Sequence, residues 1–502
     1  MTNLAYTPKG SIPTIVAKLR ENFKSGITKD VAFRKEQLKN LLCCIEENAA
    51  EFQEAVHRDL RKHKMEISIG ELSPVVDEVQ YMIKNVDRLA KPTYPTKRFK
   101  INSLDKTYVR KEPKGVVLVI GAWNYPVNLL LLPAVGAIAA GNCVILKPSE
   151  VSAHTAAAMA RLLPKYLDER AYAVINGGVE ETTALLDQQL DHIFYTGNGT
   201  VGKIIMTAAA KHLTPVTLEL GGKSPAVVAP DADLEITANR LAFGKFFNNG
   251  QTCVAPDYVL IEKHRVEPLV TAFKRTIEDF YGEDAQKSDS YGRIINTRQF
   301  DRLKALLDSC DPASVVVGGK TDRDDLFFSP TVVAPVERDA NLMQEEIFGP
   351  ILPIVGIEDM DDAIDVINSR DHPLAMYIFS SNAKTYNKIL DNTNSGGALV
   401  NDTLMHLQEM SLPFGGVGGS GMGSYHGDRS FEVFIHERST MVKSAGLENV
   451  IAARYPPYTE DKLTVLSLLV LGLPRSLGAK IKAVFSAIAA SRNVLFSKSK
   501  TQ

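Results

Sequence analysis

Apolar residues along this chain recur in two rhythms, and the change between them divides the sequence. Over residues 12–89 they fall at helical spacing, as in Phe33, Leu38, Leu41, Leu42 and Ile45, among lysines and glutamates with few breakers. That pattern predicts a run of amphipathic helices. Residues 91–109, rich in Pro, Lys, Thr and Tyr, suit an extended excursion better than a core element. From residue 115 the rhythm becomes short apolar runs separated by Ala-rich stretches. The runs 115–121 (GVVLVIG), 143–146, 172–175 and 192–195 predict buried parallel strands, with helices over 134–140, 153–163 and 201–211. A second alternating block, from Glu219 to about Asn401, contains strand-like runs at 226–228, 259–261, 315–317 and 398–400. Two α/β domains of similar size follow from this, each a doubly wound sheet with its ligand expected at the carboxyl ends of the strands.

Composition narrows the function classes. The 502 residues carry 57 basic and 59 acidic side chains, a near balance that argues against nucleic acid as a partner. Five cysteines, with no CxxC or Cys/His metal spacing, predict neither a disulfide framework nor a metal site and favour a reducing compartment. Cys43, Cys44 and Cys143 lie in predicted helical or strand core and read as packing residues. The first residues lack an apolar stretch, and no apolar run reaches bilayer length, so a cytoplasmic location is expected.

Several short motifs carry candidate chemistry. Gly197-Asn198-Gly199-Thr200-Val201-Gly202 follows a predicted strand and opens a predicted helix, as a phosphate-cradling loop does, although a structural glycine turn has the same form. Cys253 follows FNNGQT; a lone cysteine reads as buried and inert as readily as catalytic. Glu219 in LELGGK and Asn124 in GAWNYP, taken singly, read as an exposed carboxylate and a turn residue. Together the motifs say more. GAWNYP, GNCVILKPSE, YTGNGTVG, LELGGK, GQTC, EEIFGP and PFGGVGGSG occur in one order across nearly the whole chain, and this resembles the aldehyde dehydrogenase superfamily. FNNGQTCVAPDYVL and the late Arg454-Tyr455-Pro456-Pro457 are most similar to its class-3 and fatty-aldehyde branch.

The resemblance implies a role for each motif. Cys253 would be the nucleophile and Glu219 the base that activates water. Asn124, with the Cys253 backbone N–H, would stabilise the oxyanion. Because branches that pass the acyl group to coenzyme A lack this glutamate, a free acid is the expected product. The cofactor would be NAD, with NADP possible, since a carboxylate at Glu150 repels a 2′-phosphate. It would contact Lys147, Glu150, Gly197, Gly202, Leu220, Glu346 and Phe348. The Gly-rich stretch 415–423 would allow close backbone approach.

The resemblance also implies a domain plan. It consists of two Rossmann-like α/β domains, a small β oligomerisation element and a C-terminal helical tail. The dinucleotide-binding domain would span 1–96 and 111–218, the bridging element 97–110 and 424–445, the catalytic domain 219–423 and the tail 446–502. A homodimer is expected from the bridging element. The tail holds six basic and no acidic residues between Leu463 and Gln502, with apolar positions at helical spacing in Ile481, Val484, Phe485 and Ile488. It reads as a peripheral anchor on an intracellular membrane or lipid droplet, or as helices docked on the protein. Medium- and long-chain aliphatic aldehydes are the expected substrates, with apocarotenoid or aromatic aldehydes as alternatives. A catalytically silent dinucleotide-binding protein would be expected to have lost Cys253, Glu219 or Asn124. A cysteine hydrolase would need a histidine base, which no motif offers.

Overall fold

The computed structural model describes residues 4–99, 102–446, 448–471, 473–474 and 476–496. They form two compact units, one of residues up to 89 and 113–435, the other of 90–112 and 436 onward.

The larger unit opens with the helices Ile12–Ser25, Val31–Glu47, Ala49–Leu60 and Ser73–Leu89. Asp30 caps the second by accepting the Ala32 N–H, and Gly26 ends the first in the left-handed conformation (φ 86°). Just before Ser73 the helix widens into one π turn, Ser68–Leu72. On Val31–Glu47, Cys44 is buried but Cys43 is exposed, which corrects the core role expected for Cys43. Adjacent helical residues point about 100° apart, and here Cys44 and Ile45 take the core side while Cys43 turns to solvent.

The first sheet of this unit has six strands in the order Gly421–Met422, Val216–Glu219, His192–Thr196, Val116–Ile120, Cys143–Lys147 and Tyr172–Val174. All are parallel except Gly421–Met422. The chain winds outward from Val116–Ile120 to Tyr172–Val174, then reverses through His192–Thr196. Between Val116–Ile120 and His192–Thr196 lies the switch point, where open α/β sheets bind ligands. Val116–Ile120, Cys143–Lys147 and His192–Thr196 are buried throughout, as expected of strands covered on both faces. The helix Asn128–Ala140 is apolar on every side because it is enclosed by Val31–Glu47, Ser73–Leu89 and Asp428–Glu432. Gly136 permits this; a Cβ there would lie 2.2 Å from the Ser430 carbonyl oxygen.

The second sheet has seven strands, in the order Gly397–Val400, Ala375–Phe379, Pro225–Val228, Tyr258–Glu262, Ile351–Ile357, Thr331–Val333 and Val315–Val317. Only Val315–Val317 runs antiparallel to its neighbour. Residues 424–435, expected in the bridging element, pack with the larger unit instead. Phe434 is fully buried, its ring 5.4 Å from His192 and 5.9 Å from Phe194.

In the second unit, Lys106–Pro113 pairs with Ile435–Val442 to make a two-stranded ribbon, whose end residues Pro113 and Ile435 belong to the larger unit. Ion pairs from Lys111 to Glu437, Arg438 to Glu112 and Lys443 to Asp105 cross it. The helices Glu460–Leu471 and Leu477–Phe496 fold back on one another, with Asn493 near the end of the second donating to Asp461 at the start of the first (3.0 Å). Ala487 and Ala490 are buried, whereas Leu477, Ile481, Phe485 and Ile488 are exposed. Among the described residues, no helix is long and apolar enough to cross a membrane.

Candidate active site

Three loops converge on Cys253. The first follows Val116–Ile120 and carries Trp123, Asn124 and Tyr125. The second precedes Tyr258–Glu262 and holds residues 247–253. The third begins at Glu219, where Val216–Glu219 ends.

The turn before Cys253 is conformationally demanding. Asn248, Asn249 and Gly250 all have positive φ (52°, 56° and 73°). Asparagine tolerates this better than most residues. At 250 only glycine fits, since a Cβ would lie 2.3 Å from the Gly349 carbonyl oxygen. Gln251, fully buried, fastens the turn: its amide donates to the carbonyls of Asn248 (3.1 Å) and Arg293 (2.9 Å), and its oxygen accepts the Ile295 N–H (3.0 Å).

Two contacts tie this turn to the first loop. Asn124 Nδ2 donates to the Gln251 carbonyl (3.0 Å), and the hydroxyls of Tyr125 and Thr252 are 2.7 Å apart. The Asn124 carbonyl accepts from Asn248 Nδ2 (2.9 Å) and from Lys62 Nζ (2.7 Å). Lys62 is itself paired with Glu71 (2.8 Å), both completely buried. Burial pushes Lys62 down and Glu71 up, and their contact opposes both shifts. Glu66, beside Lys62, is pushed by burial to about 7.

Glu219 is buried, and neither carboxyl oxygen has a hydrogen-bond partner among the described residues. Desolvation alone raises its pKa well above the usual carboxylate range. Gly421 pairs with it in the sheet at φ 140°, and a Cβ there would lie 2.2 Å from the Leu218 carbonyl oxygen, the close approach expected of the Gly-rich stretch. The Cys253 thiol is pushed up to about 12, by burial first, then by the charges on Glu346 and Glu219. Glu346 is half-buried, its carboxyl raised by desolvation to about 8 despite the N–H of Gly222. At Gly221 any side chain would collide with Glu346, since a Cβ there would lie 2.1 Å from Oε2. Phe348, also at positive φ (49°), meets Trp123 edge to face at 5.3 Å. Behind them Asp257 accepts from Lys223 Nζ (2.6 Å) and from the Ile347 N–H (3.1 Å), fixing EEIFGP to the second sheet.

Cys253 lines a cavity of about 790 Å³. Leu129, Phe243, Phe247, Leu407 and Phe414 form much of its wall, and no Asp, Glu, Lys or Arg lines it among the described residues. His426, which does, is held neutral at ordinary pH because burial pushes its pKa to about 3. A second, polar cavity of about 660 Å³ is reached by Glu346, Gly221, Lys223 and Arg370.

The residues expected at a dinucleotide fit one. Gly197 closes His192–Thr196 at the switch point, where a Cβ would lie 2.2 Å from the Tyr195 hydroxyl. Asn198 caps the helix Gly199–Ala210 through the Val201 N–H (3.0 Å), leaving neighbouring N–H groups at a positive helix end. Gly202 leaves room for the Leu220 side chain. Lys147, buried at the end of its strand, donates to Glu150 (2.9 Å), a carboxylate suited to ribose hydroxyls. Val179 and Ile204 are exposed on two neighbouring helices. Reading the sequence missed Lys62, Glu71, Gln251 and Thr252 as parts of the site.

The ionisation of Cys253 gives a direct test. Above pH about 8 Glu346 is charged and opposes a thiolate; below it Glu346 is neutral and does not. Glu346→Gln should therefore alkylate faster than the parent with iodoacetamide only above that pH. Superimposable rate–pH profiles would refute the coupling.

Known proteins bear on this arrangement. The family model described as the Aldehyde dehydrogenase family matches residues 3–440. Aldehyde dehydrogenase family 3 member A2 of Rattus norvegicus is 48% identical over 449 residues, 89% of this chain and 92% of the relative. The mouse (Mus musculus) aldehyde dehydrogenase named as dimeric and NADP-preferring is 49% identical over 447 residues, 89% of this chain and 98% of the relative. The solved structure of substrate-bound AldH from Staphylococcus aureus superposes with a TM-score of 0.88 at 41% identity, covering 91% of this chain and 98% of that one. The chain belongs to the aldehyde dehydrogenase family, NAD(P)-dependent enzymes that oxidise aldehydes to carboxylic acids.

Proposed function

We propose that Cys253 attacks the aldehyde, that Glu219 is the base, and that Asn124 stabilises the oxyanion, with medium- and long-chain aliphatic aldehydes as the preferred substrates. The observation that carries this is the apolar, charge-free cavity lined by a thiol whose carboxylate neighbour has no hydrogen-bond partner among the described residues.

Glu219, raised by desolvation, is a stronger base than an ordinary carboxylate, and it takes the Cys253 proton as Sγ adds to the carbonyl carbon. Charge then develops on the former carbonyl oxygen. One N–H of the Asn124 side chain is committed to Gln251, which aims the other, together with the Cys253 backbone N–H, at that oxygen. NAD(P), when bound, supplies the hydride acceptor that converts the thiohemiacetal to a thioester. Lys147, Glu150, Gly197, Gly202, Leu220, Glu346 and Phe348 would hold it. Once Glu219 has released the thiol proton to solvent, it draws a proton from water as the water adds to the thioester carbon, and it returns that proton to Sγ as the carboxylic acid leaves.

Each methylene buried in the cavity contributes about 0.8 kcal/mol, or roughly fourfold in kcat/KM, until the wall is filled. A saturated aldehyde series, with benzaldehyde as comparison, should show that rise in the absorbance of the reduced nicotinamide. Cys253→Ala should abolish the signal, and Glu219→Gln should give one slowed stoichiometric burst and stop. A flat chain-length series would defeat the aliphatic preference, and steady turnover by Glu219→Gln would remove it as the base.

The second unit supports two further readings. Its ribbon leaves Ile435–Val442 largely exposed, with Met441 and Val442 about half exposed, an edge that pairs readily with a second copy. We read the protein as a homodimer. Sedimentation equilibrium should give twice the 55.0 kDa chain mass, reverting towards one chain in Met441→Pro, and a wild-type monomer at micromolar concentration would exclude it.

The exposed Leu477, Ile481, Phe485 and Ile488, in a segment with basic and no acidic residues, suit the surface of an intracellular membrane. The full chain should cosediment with anionic phosphatidylserine vesicles, and Ile481→Glu/Phe485→Glu should weaken that at least tenfold. If wild type and variant stay equally in the supernatant, the anchor reading fails.

A further inference from the structure

Lys62 is fully buried, yet it is not spent on the hydrophobic core. Its ammonium donates to Glu71 Oε1 (2.8 Å) and to the Asn124 carbonyl (2.7 Å), and it lies 3.8 Å from the centre of the Tyr125 ring. Glu71 in turn accepts the N–H groups of Val127 and Asn128 (3.1 Å each) at the start of Asn128–Ala140. That helix has no side-chain cap of its own, so the carboxylate supplies one from another helix. Glu71 reaches this position from the π turn Ser68–Leu72, and such insertions recur at functional sites. The ion pair thus grips both ends of the short segment 124–128.

Burying two charges is costly, and an apolar pair of similar volume commonly stabilises a fold as well or better. Fold stability is therefore a poor reason for this pair. What it does hold is the backbone that carries the Asn124 amide. Asn248 Nδ2 shares the same carbonyl at 2.9 Å, so the carbonyl is fixed from two sides by groups from two different elements.

We propose that Lys62 and Glu71 are positioning residues for oxyanion stabilisation. Lys62 sets the Asn124 backbone, Glu71 sets Lys62, and the amide is aimed before substrate arrives. This rests on the reading of Asn124 as the oxyanion donor. Removing such a donor outright costs about 10²–10³ in kcat, and misplacing it should cost less.

The test is a double-mutant cycle on the full-length enzyme with NAD and a saturated aldehyde. Lys62→Met should lower kcat about ten- to hundredfold, with the aldehyde KM within about threefold, the signature of an interaction made in the transition state. Iodoacetamide alkylation of Cys253, which forms no oxyanion, should keep its rate. In an Asn124→Ala background, Lys62→Met should cost nothing further. Should Lys62→Met fail to fold, Lys62→Met/Glu71→Gln, which leaves no buried charge unpaired, carries the same expectations. An equal loss in the Asn124→Ala background, an equal slowing of alkylation, or an unchanged kcat would each overturn the proposal. Full activity in Asn124→Ala alone would instead sink the oxyanion reading on which it rests.

Discussion

The site depends on two side-chain contacts between loops of different sheets: Asn124 Nδ2 to the Gln251 carbonyl, and Tyr125 to Thr252. One loop follows a strand of the first sheet and the other precedes a strand of the second, so nothing in either sheet alone would hold them in register. The second loop is also strained. Left-handed conformations at Asn248 and Asn249 cost of order 1–3 kcal/mol each and persist only where surroundings overdetermine them. Here the surroundings are Gln251, bonded on three sides, and the close approach of Gly250 to Gly349. The strain places a cysteine in the wall of an apolar cavity, against the loop that carries Asn124.

That placement sets the electrostatics. Cys253, Glu219 and Glu346 are all raised by desolvation, so the surroundings penalise the ionised form of each. A neutral aldehyde enters a charge-free cavity at little desolvation cost, whereas the carboxylate product is poorly solvated by the same walls. The lining that favours substrate therefore favours release of product as well. Glu219 gains basicity from the same burial, and Gly421 keeps its strand covered without adding a side chain that could hydrogen-bond it.

Part of each sheet was legible because buried parallel strands are written as short, unbroken apolar runs; 192–195 and 143–146 need only one more residue each to match the observed elements, whereas Val216–Glu219, Thr331–Val333, Ile351–Ile357 and Ala375–Phe379 were not picked out. Cys253, Glu219 and Asn124 stand in sequence motifs, and the structure brings their three loops together. Lys62 was not, because within Arg61-Lys62-His63-Lys64 it reads as solvated charge. Glu71 was not, because its role depends on a π turn that no periodicity announces. Cys43 was misjudged because an apolar stripe does not say which of its residues the rest of the fold covers. Burial is decided by partners far away in the chain, as His192 is for Phe434.

The residues missed are those that act on other residues rather than on substrate. A nucleophile or base must be of one chemical type, and its local sequence must make one turn, so both leave a signature. A residue that only fixes a carbonyl could be any donor of suitable length approaching from any element. Its identity becomes visible when burial is known, since an ammonium at zero exposure demands partners in a way that the same lysine on a surface does not. The Asn124 carbonyl draws one donor from residue 62 and another from residue 248, separations over which no local pattern survives. Preorganisation of this enzyme is thus a tertiary property laid over motifs that are local, and changes in its efficiency should trace to residues outside the motifs as often as to those within them.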